Sequence, residues 1–196
     1  MTFKIILAVV IGAIAGFFVP QSWYGATDTL LTIGLCLLLF FVGIDIGKNK
    51  NVLQDIKRTG FLFFIVPIGV AVGSLIGALA VGAILGYPLN ESGAIGSGLG
   101  WYTLSSVIIA PYSSELSVVA FLTNVIREVF AIALIPLIAK YIGFIEAIAP
   151  AGATAMDTTL PIISRNTNSE TAILSFSTGL ILSTLVPILV PLFLFR

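Results

Sequence analysis

The sequence predicts an all-α membrane protein: one polytopic domain over residues 1–196, built from about seven hydrophobic segments, with discontinuous or re-entrant helices around 93–111 and 145–164. Three observations carry this. Hydrophobic residues make up 58% of the chain and charged residues only 9%, where a soluble domain carries about a quarter charged. Apolar runs recur from end to end, of the roughly 20 residues that cross a hydrocarbon core of about 30 Å. Glycine and proline interrupt two of those runs, at 93–111 and at 150–161.

The first run, 3–19, ends at Pro20 and reads as a retained span, because its apolar stretch is long and no clean small-x-small cleavage site follows. Trp23 and Tyr24 in the polar link 21–28 suit an interfacial aromatic belt. Residues 29–44 form the second span. The stretch 45–60 that follows is the most charged of the chain, with Lys48, Lys50, Lys57 and Arg58 against Asp45 and Asp55. By the positive-inside rule this loop is cytoplasmic, and so is the N-terminus. The third span, 61–85, carries Gly69, Gly73 and Gly77 at every fourth residue, as Gly12 and Gly16 do in the first. That spacing predicts close helix packing rather than a site.

Segment 93–110 has four glycines in eight residues (Gly93, Gly96, Gly98, Gly100) leading into GWYTLSS at 100–106, and Pro111 closes it. It reads equally as a close-packed helix or as a helix unwound where it lines protein or a wet cavity. The unwound reading makes Trp101, Tyr102 and Ser105 candidate site residues. Segment 116–139 is one apolar helix with NVIRE (124–128) at its middle, which puts Arg127 and Glu128 near mid-bilayer and Asn124 one turn back. A charge at that depth costs about 2.5–3.5 kcal/mol on insertion scales, so these side chains face protein or water. They read as a transport site, or as an Arg–Glu pair that only locks helices together. Segment 142–163 is broken by Pro150, Gly152 and Pro161, with Asp157, Thr158 and Thr159 between the breaks. Asp157 is a second intramembrane acid, and it also suits the N-cap of a following helix. The last span is 171–195. Charge alone leaves open whether 93–111 crosses the membrane or doubles back: crossing puts Arg165 inside and Lys140 outside, and re-entry exchanges them. The sequence shows no internal repeat.

Composition excludes several functions. The chain has no His, which removes imidazole metal ligation and leaves carboxylates as the natural proton carriers. Cys36 is the only cysteine, so no internal disulfide forms. Net charge is zero and no long basic run appears, so nucleic acid is not a partner. The reading includes no cofactor, no metal and no enzymatic activity. An intramembrane aspartyl protease using Asp45 and Asp157 is disfavoured, because Ile44 and Met156 stand where that class has glycine.

Taken together, FFVGIDIGKNK (40–50), GWYTLSS (100–106), NVIREVFAIALIP (124–136), GATAMDTTLPI (152–162) and LVPILVP (185–191) resemble, in the same order, the LysO family of lysine exporters. The resemblance covers nearly all of the chain. It implies export of L-lysine and lysine analogues across the inner membrane, with Glu128 and Asp157 at the positions of two essential acids. Longer members carry a further N-terminal hydrophobic region, so the chain resembles their C-terminal two-thirds. The resemblance then implies a small membrane partner subunit or a homodimer. Lysine's two ammonium groups suit the two carboxylates, and its carboxylate suits Arg127 or a half-helix N-terminus. Trp101 and Tyr102 suit stacking on a cation or an aliphatic stem. A proton and an ammonium group competing for the same carboxylates make this proton antiport. The residues alone fit ornithine, arginine or sodium as well as lysine, and import as well as export. They also fit a structural subunit whose partner does the transport.

Overall fold

The fold is seen in a computed structural model that describes residues 60–195 continuously and, before them, residues 11, 12, 14–16, 18, 20, 33, 37, 40 and 44. Most of the two spans expected at 3–19 and 29–44, and the basic loop before Gly60, therefore lie outside the described residues. Everything regular among the described residues is helical.

Three helices are long and apolar enough to cross a membrane: α1 (Leu62–Leu85), α4 (Ser114–Tyr141) and α6 (Ser169–Leu194). At 24, 28 and 26 residues they measure about 36–42 Å. Their boundaries follow from local chemistry. α1 stops where Gly86 takes a left-handed conformation (φ 79°). α4 starts at Ser113, whose side chain accepts from the Leu116 N–H, with Glu115 in its first turn and Lys140 in its last. Asn168 caps α6 in the same way, accepting from Thr171.

Between them lie the two interrupted segments, and both double back. In the first, α2 (Leu89–Gly96) ends at a buried turn through Ser97–Gly100, and α3 (Tyr102–Ile109) returns. Both outer ends of this hairpin sit at the end of the bundle where α1 finishes: the Tyr112 hydroxyl donates to Glu91 (3.3 Å), and Leu89 and Asn90 share a cavity with Leu192 and Phe193 of α6. The second hairpin runs through two 3-10 turns, Glu146–Ile148 and Gly152–Met156, and returns as α5 (Leu160–Asn166). Its outer ends lie at the opposite end, where Leu62 of α1, Phe144, Glu146, Asn168 and Glu170 surround another cavity. Segment 93–111 is thus re-entrant. Segment 142–163, expected to be discontinuous or re-entrant, turns back as well, so Lys140 and Arg165 share one end of the bundle, where both charge-based readings put them on opposite sides.

The result is a repeat that the residues do not announce. A long helix followed by a hairpin occurs twice, α1 with hairpin 1 and α4 with hairpin 2, and the two units point in opposite directions. The tips meet halfway along the long helices, where the Leu99 carbonyl accepts from the Ala153 N–H at 2.8 Å. Lipid offers no hydrogen bonds at that depth, so each broken backbone must find a protein partner, and here each tip partners the other. Two apolar clusters hold the arrangement. One joins Val70, Leu99, Ile109, Leu116 and Leu182, and the other joins Ile135, Ile148, Ile163 and Leu174.

Among the described residues the glycine stripe of α1 has no packing partner. Nothing among the described residues lies within 4 Å of a Cβ built on Gly69, Gly73 or Gly77. The close approach lies on another face of α1, where Gly82 meets Ser92 of α2 and Ala78 meets Gly96.

Candidate functional site: a carboxylate cavity where the hairpins meet

A cavity of about 270 Å3 opens beside the crossing of the tips. Hairpin 1 contributes Gly100, Trp101, Tyr102 and Thr103, and hairpin 2 contributes Ala153, Thr154, Met156, Asp157 and Thr158. α4 adds Glu128 and α6 adds Ser183. The two intramembrane acids singled out in the sequence thus line one cavity although they come from different elements. Thr158 stands between them. Its hydroxyl donates to Asp157 Oδ1 at 3.3 Å and lies beside Glu128, while its N–H also donates to Asp157 Oδ1. Tyr102 is close enough to both acids for their charges to act on it, and Phe121 of α4 holds its ring edge-to-face, with centroids 5.4 Å apart. Trp101 is 37% exposed, at the rim.

Asp157 does not cap the following helix. Thr159 is the N-cap of α5, and the Asp157 carboxylate turns instead to Thr158.

The other candidates lie behind the cavity wall. Thr159 is fully buried and donates to the Thr154 carbonyl (2.8 Å), and Ser105, also fully buried, donates to the Tyr102 carbonyl (3.3 Å). Asn124 accepts from the Gly100 N–H (2.8 Å) and donates to the Ala120 carbonyl (2.9 Å). Each of the three nitrogens of Arg127 donates to hairpin 2 or to α1: Nε to the Pro150 carbonyl (3.1 Å), Nη2 to the Ala149 carbonyl (3.3 Å) and Nη1 to the Ser74 hydroxyl (2.9 Å). Arg127 therefore does not pair with Glu128, although the two are adjacent in the chain. It faces a larger, mostly apolar cavity of about 420 Å3 between α1 and α4, where it is the only charged lining residue among the described residues.

Three residues at or near the site are not singled out by the sequence. Thr154 and Ser183 line the cavity, and Ser74 joins the network behind it. Single hydroxyls in apolar helices usually return a bond to their own turn, as Ser183 does to Gly179 (2.8 Å). The available signal was that Ser74 and Ser183 are polar positions at mid-span. Among the described residues no cluster of acids or cysteines could hold a metal ion.

Interrupted helices entering from opposite ends and meeting at mid-depth over ionisable groups are the arrangement of a multi-pass membrane transport protein. The particular family is shown by likeness to known proteins. The chain belongs to the lysine exporter LysO family, whose model matches residues 6–194. It is 39% identical over 167 residues to the lysine exporter LysO of Escherichia coli (strain K12), covering 81% of this chain and 53% of that protein. It is 31% identical over 193 residues to a putative lysine exporter of Haemophilus influenzae, covering 97% of this chain and 96% of the relative. The chain thus spans about half the length of the first relative and nearly all of the second. No solved structure matches it.

Proposed function

We propose that this chain exports L-lysine across the inner membrane in exchange for protons, with Glu128 and Asp157 as the shared receptors for ammonium groups and protons. The observation that carries this reading is the convergence of these two acids on one mid-depth cavity, in a member of the lysine exporter LysO family.

Lysine has two ammonium groups, and each carboxylate receives one. Tyr102 and Trp101 offer faces to a cation or to the aliphatic stem, worth about 0.5–2 kcal/mol. When lysine leaves, protons take its place on the carboxylates, and arriving lysine displaces them. An inward proton gradient then drives lysine outward.

Orientation follows from charge. The basic stretch 45–60 runs directly into the start of α1, and Lys140 and Arg165 lie at that same end of the bundle. That end is the cytoplasmic one by the positive-inside rule. Hairpin 2 then enters from the cytoplasm and hairpin 1 from outside. A small membrane partner subunit or a second copy of the chain completes the transporter if the chain does not act alone.

The test is exchange of radiolabelled lysine in proteoliposomes containing this chain, with and without an imposed pH gradient. Gradient-driven movement lost in both Glu128→Gln and Asp157→Asn is the expected result. Lysine movement intact in both variants would end the scheme. A well-folded chain that moves lysine only with its partner subunit present would place the activity in the complex.

A further inference from the structure

Behind the cavity, polar groups that the exchange scheme does not use form one connected path between the hairpins. The Ser74 hydroxyl donates to the Gly96 carbonyl at 3.1 Å, where the first arm of hairpin 1 ends. Arg127 donates to that same hydroxyl and to the Ala149 and Pro150 carbonyls, where the first arm of hairpin 2 ends. The guanidinium also lies close against the tip itself, since a Cβ on Gly152 would stand 2.9 Å from Nη2. Asp157 follows five residues later in that tip.

We propose that Arg127 is a positioning residue: it pins hairpin 2 so that Asp157 faces Glu128, and it stays off the substrate, which the cavity reads by its ammonium groups. This rests on the lysine–carboxylate reading above. The chemistry of the guanidinium supports it. A planar fork of fixed donors spans two successive carbonyls and a hydroxyl at once, which a single ammonium cannot do. Turning it toward a substrate carboxylate would strand those carbonyls at a depth where lipid offers no donor. Among the described residues, the cavity wall holds two carboxylates and no cationic side chain. A diamine without a carboxylate therefore carries everything the cavity recognises.

The experiment compares lysine with 1,5-diaminopentane on the full chain in proteoliposomes. In the wild type, the diamine competes with labelled lysine. In Arg127→Met, the lysine KM and the diamine inhibition constant rise together, by about tenfold or more, the size of one lost charged hydrogen bond, and their ratio stays constant. Arg127→Lys recovers part of the loss for both compounds. A loss confined to lysine would show that the guanidinium holds the substrate carboxylate, and would overturn the proposal. So would a wild type blind to the diamine, or an Arg127→Met protein unchanged toward both. If Arg127→Met does not fold, Ser74→Ala and Arg127→Lys carry the same comparison. A wild type that moves no lysine counts against the transport reading instead. Binding of the two compounds, read from Trp101 fluorescence at the cavity rim, then decides the role of Arg127 separately.

Discussion

Gly152 is the position where the meeting of the hairpin tips is most exposed to test. Its φ is +63°, and a Cβ there would collide with the Leu99 carbonyl oxygen and press on the Arg127 guanidinium. Replacing it with alanine combines two costs. Holding a non-glycine residue in the left-handed region costs about 1–2 kcal/mol. Forcing a methyl group against a backbone carbonyl that cannot retreat costs about 1–3 kcal/mol more. The carbonyl cannot retreat because it accepts from Ala153, the next residue along, and moving it would break the bond that joins the tips. Gly152→Ala should therefore destabilise the chain by about 2–5 kcal/mol. Two other glycines separate the contributions. Gly86 has φ +79° with nothing within 4 Å among the described residues, so Gly86→Ala isolates backbone strain, at about 1–2 kcal/mol. Gly69 is helical with nothing near it among the described residues, so Gly69→Ala should be neutral or gain up to about 1 kcal/mol. The assay is reversible unfolding in detergent micelles, followed by lysine exchange on each reconstituted variant. If Gly152→Ala proved no more costly than Gly86→Ala, the tips would not pack as described.

Three further outcomes follow from the same structure. With Cys36 replaced by serine, cysteines at Lys140 and Arg165 should react with an impermeant thiol reagent from one side of the membrane and a cysteine at Tyr112 from the other. Labelling of 140 and 165 from opposite sides would mean that hairpin 2 crosses. Asn124→Ala should cost about 1–3 kcal/mol in the unfolding assay, because it leaves the buried Gly100 N–H without its acceptor, whereas Asn124→Asp keeps an acceptor and should cost less. Ser113→Ala and Asn168→Ala each remove a helix cap and should cost about 1 kcal/mol, with lysine KM unchanged.

The sequence carried the helical class and the positions of both interruptions, because those rest on local chemistry. Gly98 and Gly100 do mark a break in helical structure, and Pro150 and Gly152 do mark another. It did not carry the direction of the chain after each break. That depends on a contact between residues far apart, Leu99 with Ala153, and the few charges flanking the two breaks leave open whether each segment crosses or returns. The position of Arg127 was within reach. Neighbours on an α-helix point about 100° apart, so Arg127 and Glu128 face different surroundings. The repeat was hidden for a different reason: its two hairpins share a path but not a local structure, since one arm of hairpin 1 is the regular helix α2 and the matching arm of hairpin 2 is mostly 3-10 turn.

One turn of α4 explains why the NVIRE block is polar at a depth where polarity is costly. Breaking two helices at mid-membrane frees N–H and C=O groups on both tips, and each would cost several kcal/mol if left facing lipid. Asn124 takes up the Gly100 N–H of hairpin 1, and Arg127 takes up the Ala149 and Pro150 carbonyls of hairpin 2. Glu128, one position further round the helix, reaches the cavity that those two contacts keep in shape. Three tasks thus fall to residues within about one turn, and in the proposed scheme only the last concerns the substrate. In that scheme the polar residues of the block answer two different demands, backbone satisfaction and ammonium recognition. Substitutions at Asn124 should be read first in stability, and those at Glu128 first in transport. Arg127, which touches α1 and hairpin 2 at once, should register in both.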